Sequence, residues 1–408
     1  MSSPTPTPPS VRPRVNLRTP EVMERVQSEV EGHYRSALVE QIRANGGALI
    51  VGNTTFRLAK QFGFCYGVER AIDLAYAARK VFPEQRIFLL GEIIHNPDVN
   101  AQIAAMGIRH LAAHPSDADI DELHPDDIVI VPAFGAEMPI VEAVKAHGCQ
   151  IVDTTCGDVM SVWKRVRQNA REQVTSIIHG KSAHEETRAT ASRALGEGGG
   201  HYLVVLDLAE TDAVCDYIRH GGDKEEFLRR FEGAYSTGFD PDQHLGKVGV
   251  ANQTTMLRSE TEEVQRRVRA AIAERDGSDA SGNFRFFDTI CGATQERQDA
   301  LFELLRAPLD MLLVVGGYNS SNTTHLAEIG ERQNVKTFFV RNAECLHSAD
   351  EIAHFDLHAK EEILATNWLK TEGPIYVGIT AGASCPNNLI EDVINRILLF
   401  RGELIEKA

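Results

Sequence analysis

The sequence predicts an α/β fold built from parallel sheets, and three observations carry that reading. Short runs rich in Val, Ile and Leu end in polar or glycine-rich loops, helical patterns fill the intervals, and one local pattern around a cysteine recurs three times. The runs are RIFLL (86–90), DIVIVP (127–132), TSIIHG (175–180), YLVVLD (202–207), KVGVAN (247–252), MLLVVGG (311–317), KTFFV (336–340) and IYVGIT (375–380). They are continuously apolar rather than alternating, as expected of parallel strands covered on both faces. Segments such as VERAIDLAYAARKVF and ETEEVQRRVRAAIAER supply the helices, and strand–helix alternation of this kind defines the class.

Ahead of the first run, residues 21–45 read as one or two amphipathic helices that stop at Asn45-Gly46-Gly47. The first twenty residues have no acid and several Pro, Ser, Thr and Arg. Such a composition buries too little apolar surface to order itself, so a disordered tail is expected, with a short plastid transit peptide as the other reading.

The recurring pattern is visible in LAKQFGFCYGVERAIDLAYAARK at Cys65, QIVDTTCGDVMSVWKRVRQNA at Cys156 and FRFFDTICGATQERQDALFELL at Cys291. Each has a strand-like run, the cysteine, a glycine one or two residues later, and then a helix. Internal repetition dictates architecture. Three α/β subdomains in a pseudo-threefold, trefoil-like arrangement are therefore expected, each offering one cysteine to a common centre. The boundaries follow: a tail and helical extension over 1–55, then domains over 56–155, 156–290 and 291–408. The middle unit is longer by a charged, Gly-containing stretch near 216–244, read as a surface insertion.

The chain has 408 residues, 43% hydrophobic and 25% charged, which is the composition of a soluble globular protein of two or three domains. A formal net charge of −16 argues against nucleic acid or a membrane surface as partner. It also requires that any anionic ligand be held by local donors and helix N-termini. Seven cysteines without a hydrophobic signal peptide do not make a disulfide scaffold, so a reducing cytoplasm is the expected compartment, or the plastid stroma if the N-terminal segment is a transit peptide.

A thiolate at a helix N-terminus beside glycine is stabilised by the helix dipole and by free N–H groups. Zinc would want four N/S ligands, usually in C-x-x-C knuckles, and no C-x-x-C occurs in the chain. Three thiolates from distant segments suit a [4Fe–4S] cluster, one per chain, with one iron lacking a protein thiolate. That gap favours catalysis over plain electron transfer. Cys149, Cys215, Cys345 and Cys385 lack the shared context and are read as packing residues.

Ligands of open parallel sheets bind beyond the carboxyl ends of the strands. Those positions hold His95 and Asn96 in GEIIHN, then His184, Glu185, Glu186 and Thr187 in KSAHEET, and Gln253, Thr254 and Thr255 after KVGVAN. They continue with Asn319, Ser320, Ser321 and Asn322 in YNSSNTTH, and Ser384 in AGAS. Hydroxyls, amides and imidazoles at helix starts are what a diphosphate needs where lysines are few, although Ser, Thr and Asn there also serve as plain N-caps. There is no G-x-x-x-x-G-K-[ST] loop, so nucleotide binding is not supported.

From about residue 60 to 395 the chain resembles the 4-hydroxy-3-methylbut-2-enyl diphosphate reductase family of the non-mevalonate isoprenoid pathway. The motifs are GFCYGVERAI, HNP, DTTCGDV, AHEET, NQTT, TICGATQERQ, GGYNSSNT and TAGAS. The resemblance implies a trefoil of α/β domains around a [4Fe–4S] cluster with Cys65, Cys156 and Cys291 as ligands. It implies reductive dehydroxylation of the allylic diphosphate to isopentenyl and dimethylallyl diphosphate, with two electrons and protons used at the open iron and a ferredoxin or flavodoxin-type donor. His95, His184, Ser320, Ser321, Asn322 and Ser384 would bind the diphosphate, Gln253 and Thr255 would line the site, Thr254 would sit near the substrate hydroxyl, and Glu186 would deliver protons. One departure stands out: Phe134, in PAFGAE, occupies a place where many relatives carry histidine, and it resembles the plastid-type branch.

Overall fold

The structure is a computed structural model and describes residues 16–196, 199–277, 282–287 and 289–405. The tail expected over residues 1–20 falls largely outside them. Within the described part, Leu17 is buried and the first helix begins at Pro20. The extension is two helices, Pro20–Tyr34 and Ala37–Ala44, the second capped by the buried Ser36, whose Oγ accepts from Val39 N.

The chain folds as α/β with three main sheets. One has four parallel strands in the order Ile108–Leu111, Ile87–Leu90, Ile128–Val131, Gln150–Asp153. Another has Phe284–Phe286, Val248–Asn252, Thr175–His179 and Tyr202–Val205, also all parallel. The third runs Ala48–Val51, Thr54–Leu58, Ile375–Ala381, Met311–Val315, Thr337–Val340, parallel apart from its first pair. A separate antiparallel hairpin joins Glu351–Asp356 to Glu361–Thr366. Central strands such as Met311–Val315 and Thr175–His179 are buried along their whole length, which is why their sequences are continuously apolar.

Each cysteine segment passes the chain from one sheet to the next. The strand before Cys65, Thr54–Leu58, belongs to the third sheet, whereas the helix after it, Tyr66–Val81, buries Ala71, Ile72 and Ala75 in a core shared with Ile87 and Leu89 of the first sheet. Gln150–Asp153 leaves the first sheet, and helix Gly157–Arg171 packs Val162 and Val166 against Ala251 of the second. Phe284–Phe286 leaves the second sheet, and helix Gly292–Leu304 buries Ala300 and Leu301 in the core of the third.

Two expectations about boundaries change in consequence. The division between residues 55 and 56 falls inside the strand Thr54–Leu58, which pairs with Ile375–Ala381 and so belongs with the C-terminal sheet. The stretch 216–244 is not simply a surface insertion. It carries Tyr217, Ile218, Phe227, Phe231 and Phe239, all buried in one core with Leu203 and Val250 of the second sheet. Its charges occupy the outer faces of helices Leu208–His220 and Lys224–Arg230, and that masks the aromatic face in composition. Replacing Phe231, which is 2% exposed, with Ala is expected to cost about 3–5 kcal/mol in equilibrium unfolding; a loss within 0.5 kcal/mol would return the segment to the surface.

Candidate active site

Cys65, Cys156 and Cys291 each take the extended backbone of an N-cap, at the starts of helices Tyr66–Val81, Gly157–Arg171 and Gly292–Leu304. Their backbone N–H groups are fixed in one repeated way. Cys65 donates to the carbonyl of Ala383 (3.2 Å), Cys156 to that of Ala133 (2.8 Å) and Cys291 to that of Thr254 (3.3 Å). Each acceptor lies two residues beyond a strand end, namely Ala381, Val131 and Asn252, and that strand neighbours the one leading to the cysteine. Gly67 keeps two of the thiols close: a Cβ there would lie 2.5 Å from Sγ of Cys156 and 3.9 Å from Sγ of Cys65.

The spacing bears on what the thiols could hold. One tetrahedral ion would draw thiolate sulfurs to about 3.8 Å from one another. Among the described residues, the only set of three donors mutually within 4.8 Å is His95, His184 and Glu185. Cys65, Cys156 and Cys291 do not form such a set, and thiols at three helix N-termini spaced more widely than one ion needs fit a multi-iron cluster. Burial pushes the Cys291 thiol up to about 12, partly offset by bonds from Thr294, and burial likewise raises Cys156. Such thiols need bound cationic metal to be held as thiolates.

Beside them lies a buried acid. Glu186, 3% exposed in the first turn of helix Glu185–Ala194, accepts from Thr254 N (2.6 Å) and from Thr254 Oγ1 (3.0 Å). Burial raises its pKa to about 7, against the lowering effect of the Thr254 bonds. Thr254 therefore touches the acid through its N–H and hydroxyl while its carbonyl holds the N–H of Cys291.

The remaining polar groups come from all three sheets. His184 caps the Glu186 helix, its Nδ1 accepting from Glu186 N, so the other nitrogen, Nε2, carries the proton of the neutral ring. Burial holds the pKa of His184 well below its ordinary value, and its Nε2 is buried without a partner among the described residues. His95 Nε2 and Asn322 Nδ2 are likewise unpartnered, while Asn322 Oδ1 accepts from Ala383 N. Ser320 caps helix Ser321–Arg332; Ser384 Oγ donates to His95 O (3.1 Å) and lies 3.5 Å from Ser320 Oγ. Gln253, 1% exposed, donates to Thr255 Oγ1 (2.9 Å) and Ser321 Oγ (3.1 Å). Phe134 stacks on His95 at 4.5 Å and 9°, and the His95 and His184 rings meet edge to face at 5.0 Å. Phe134 thus backs the His95 ring.

Comparison with known proteins gives the family of the chain. The model of the LytB protein family matches residues 56–398. The chain belongs to the LytB protein family. This LytB-family chain is 46% identical over 379 residues to the 4-hydroxy-3-methylbut-2-enyl diphosphate reductase of Thermosynechococcus vestitus, covering 93% of the chain and 92% of that relative. It is 47% identical over 382 residues to the enzyme of the same name from Gloeobacter violaceus, covering 92% and 90%. A solved structure of (E)-4-hydroxy-3-methyl-but-2-enyl diphosphate reductase, described as the terminal enzyme of the non-mevalonate pathway, superposes with a TM-score of 0.52 at 27% identity, covering 86% of the chain and 100% of that structure. The Plasmodium falciparum E-1-hydroxy-2-methyl-but-2-enyl-4-diphosphate reductase shares the fold, with a TM-score of 0.61 at 21% identity over 84% of the chain and 87% of that structure.

Sequence reasoning about the LytB-family site missed Glu92 and Arg297. Glu92 accepts from Asn319 Nδ2 (2.8 Å) and lies 3.2 Å from His95 Nδ1. Burial raises its pKa, but these two bonds outweigh it and hold the carboxyl below its ordinary value. An acid three residues before a strand-end histidine was the available signal.

Glu186 makes stability depend on pH. Its folded pKa near 7 exceeds the ordinary 4.5, so its contribution is full below pH 4.5 and is lost as pH rises through 7. Glu186→Gln cannot ionise, and the stability difference between wild type and this variant is expected to fall by on the order of 3 kcal/mol from pH 4.5 to 8. Parallel pH curves in urea unfolding would place the carboxyl in water.

Proposed function

We propose that this chain reductively dehydroxylates 4-hydroxy-3-methylbut-2-enyl diphosphate to isopentenyl and dimethylallyl diphosphate, the last step of non-mevalonate isoprenoid precursor synthesis. The observation that carries the reading is the Glu186–Thr254–Cys291 chain, which sets a protonated acid beside a thiol-lined centre. Bound through Cys65, Cys156 and Cys291, one [4Fe–4S] cluster per chain would supply two electrons, one at a time, and a Lewis-acidic iron without a fourth cysteine.

The chain's own residues do the rest. The diphosphate is held by the free Nε2–H of His184, by Nδ2 of Asn322, by His95 and by the hydroxyls of Ser320, Ser321 and Ser384, with the N-termini of helices Glu185–Ala194 and Ser321–Arg332 adding their dipoles. Buried donors without partners are costly until an acceptor arrives, so they favour a ligand rich in oxygen. The carboxylate of Glu185 lies 3.9 Å from His95 Nε2. Gln253 and Thr255 fix the wall opposite Ser321. Short-range bonds of this kind need no help from the overall charge of −16.

Two electrons and two protons break the C–O bond, release water and form one C–H bond at either end of the three-carbon allylic unit: at the former hydroxylated carbon for dimethylallyl diphosphate, or at the far alkene carbon, with the double bond shifted, for isopentenyl diphosphate. Glu186, kept protonated near pH 7 by burial, donates to the leaving hydroxyl oxygen, and Thr254 orients that hydroxyl. Remote binding of the diphosphate fixes the allylic carbon against the acid. The electrons come from a ferredoxin or flavodoxin-type donor. Among the described residues no helix is long and apolar enough to cross a membrane.

Anaerobically purified protein should show a cubane spectrum that the hydroxylated diphosphate perturbs, and two reduced methyl viologens should be consumed per substrate. Absence of iron and sulfide, or turnover without net reduction, would overturn the reading. Glu186→Gln should retain iron and substrate affinity while kcat falls about 10²–10⁴-fold; unchanged turnover removes Glu186 from the acid role. Cys156→Ser should give cluster-poor, weakly coloured protein, and a normal iron content would contradict ligation there.

A further inference from the structure

The site leaves one buried cation unused. Arg297, 4% exposed, stands six residues after Cys291 on helix Gly292–Leu304. Its Nη1 donates to Ala293 O (2.8 Å) and its Nη2 to Gly63 O (2.6 Å). These acceptors lie two residues after Cys291 and two before Cys65, so the guanidinium ties together the two backbone segments that carry those cysteines. Gly63 takes φ +81°, and a Cβ there would lie 2.7 Å from Asn387 Oδ1, so the carbonyl that receives Nη2 sits on a backbone only glycine allows. The third donor, Nε, is buried without a partner among the described residues. Burial pulls the pKa of this guanidinium below its ordinary value, and Cys65 and Cys291, ahead of Glu296, act against that lowering.

Burying a guanidinium against neutral carbonyls is unfavourable unless a negative group shares the space. Thiols in their neutral form would not repay it; a thiolate-ligated cluster, more negative still after each electron, would. We infer that Arg297 is a positioning residue that stabilises the reduced cluster over the oxidised one, so that this buried positive charge raises the reduction potential at which the chain accepts electrons. The inference rests on the cluster proposed above. It concerns charge rather than proton transfer, since arginine stays protonated.

The test is a redox titration of the anaerobically purified holoprotein followed by EPR, comparing wild type with Arg297→Gln and Arg297→Lys. The glutamine variant is expected to shift the one-electron equilibrium about tenfold against reduction, 59 mV to more negative potential, while lysine stays within about threefold of wild type. A glutamine variant that keeps its cluster at an unchanged potential overturns the inference. If glutamine fails to hold iron, the lysine variant decides: a potential near wild type supports the role of charge. A tenfold shift, or a cluster lost with lysine too, assigns Arg297 to holding the Gly63 loop and ends it. Wild-type protein without iron and sulfide is the separate outcome that removes the cluster reading and the inference with it.

Discussion

Three backbone hydrogen bonds set everything else in this molecule. Each joins the N–H of a cysteine to a carbonyl two residues past the end of a neighbouring strand: Cys65 to Ala383, Cys156 to Ala133, Cys291 to Thr254. Because the cysteine is also the N-cap of the following helix, one bond fixes a strand exit, a helix entry and the place of a sulfur. Repeated in three sheets, it gives the three cysteines the same relation to strand and helix. Gly67 is a steric requirement of this arrangement, since its hydrogen is all that fits beside the Cys156 sulfur, whereas a Cβ at Gly157 or Gly292 would meet nothing within 4 Å.

The acid and the anion side inherit their positions from the same bonds. Thr254 is both the acceptor for Cys291 and the partner of Glu186, so the distance from proton donor to thiol centre is set by a single residue's backbone. Ala383, which holds Cys65, also donates its N–H to Asn322 Oδ1 and so turns the free Nδ2 toward the pocket. Ala133 stands next to Phe134, the ring that lies flat on His95. In each sheet the cysteine's acceptor adjoins, or itself is, a residue of the polar site. The thiols and the polar groups beside them are therefore mechanically one unit.

Much of this could be read from residues alone, for identifiable reasons. Fully buried strands such as Met311–Val315 announce themselves because both faces demand apolar side chains. The cysteine repeat stands out because strand, thiol, glycine and helix fall in one short window. Two other strands were harder: Thr54–Leu58, second in its sheet, alternates in burial and the edge strand Ile108–Leu111 is exposed at its middle two residues, so neither forms a continuous apolar run. Nor does local sequence tell which sheet such a strand joins; Thr54–Leu58 finds its partner at Ile375–Ala381, at the opposite end of the chain. The aromatic core of 216–244 was hidden by the charges on its outward faces, and the reach of Arg297 to Gly63 spans two segments with no common signature.

The pairing of Thr54–Leu58 with Ile375–Ala381 has a temporal meaning. The carbonyl that anchors the first cysteine, that of Ala383, is synthesised 318 residues (383 − 65) after it. At ordinary translation speeds that interval is on the order of tens of seconds. Until then the backbone of Cys65 has no anchor, and the place of its sulfur waits for a segment made long afterwards.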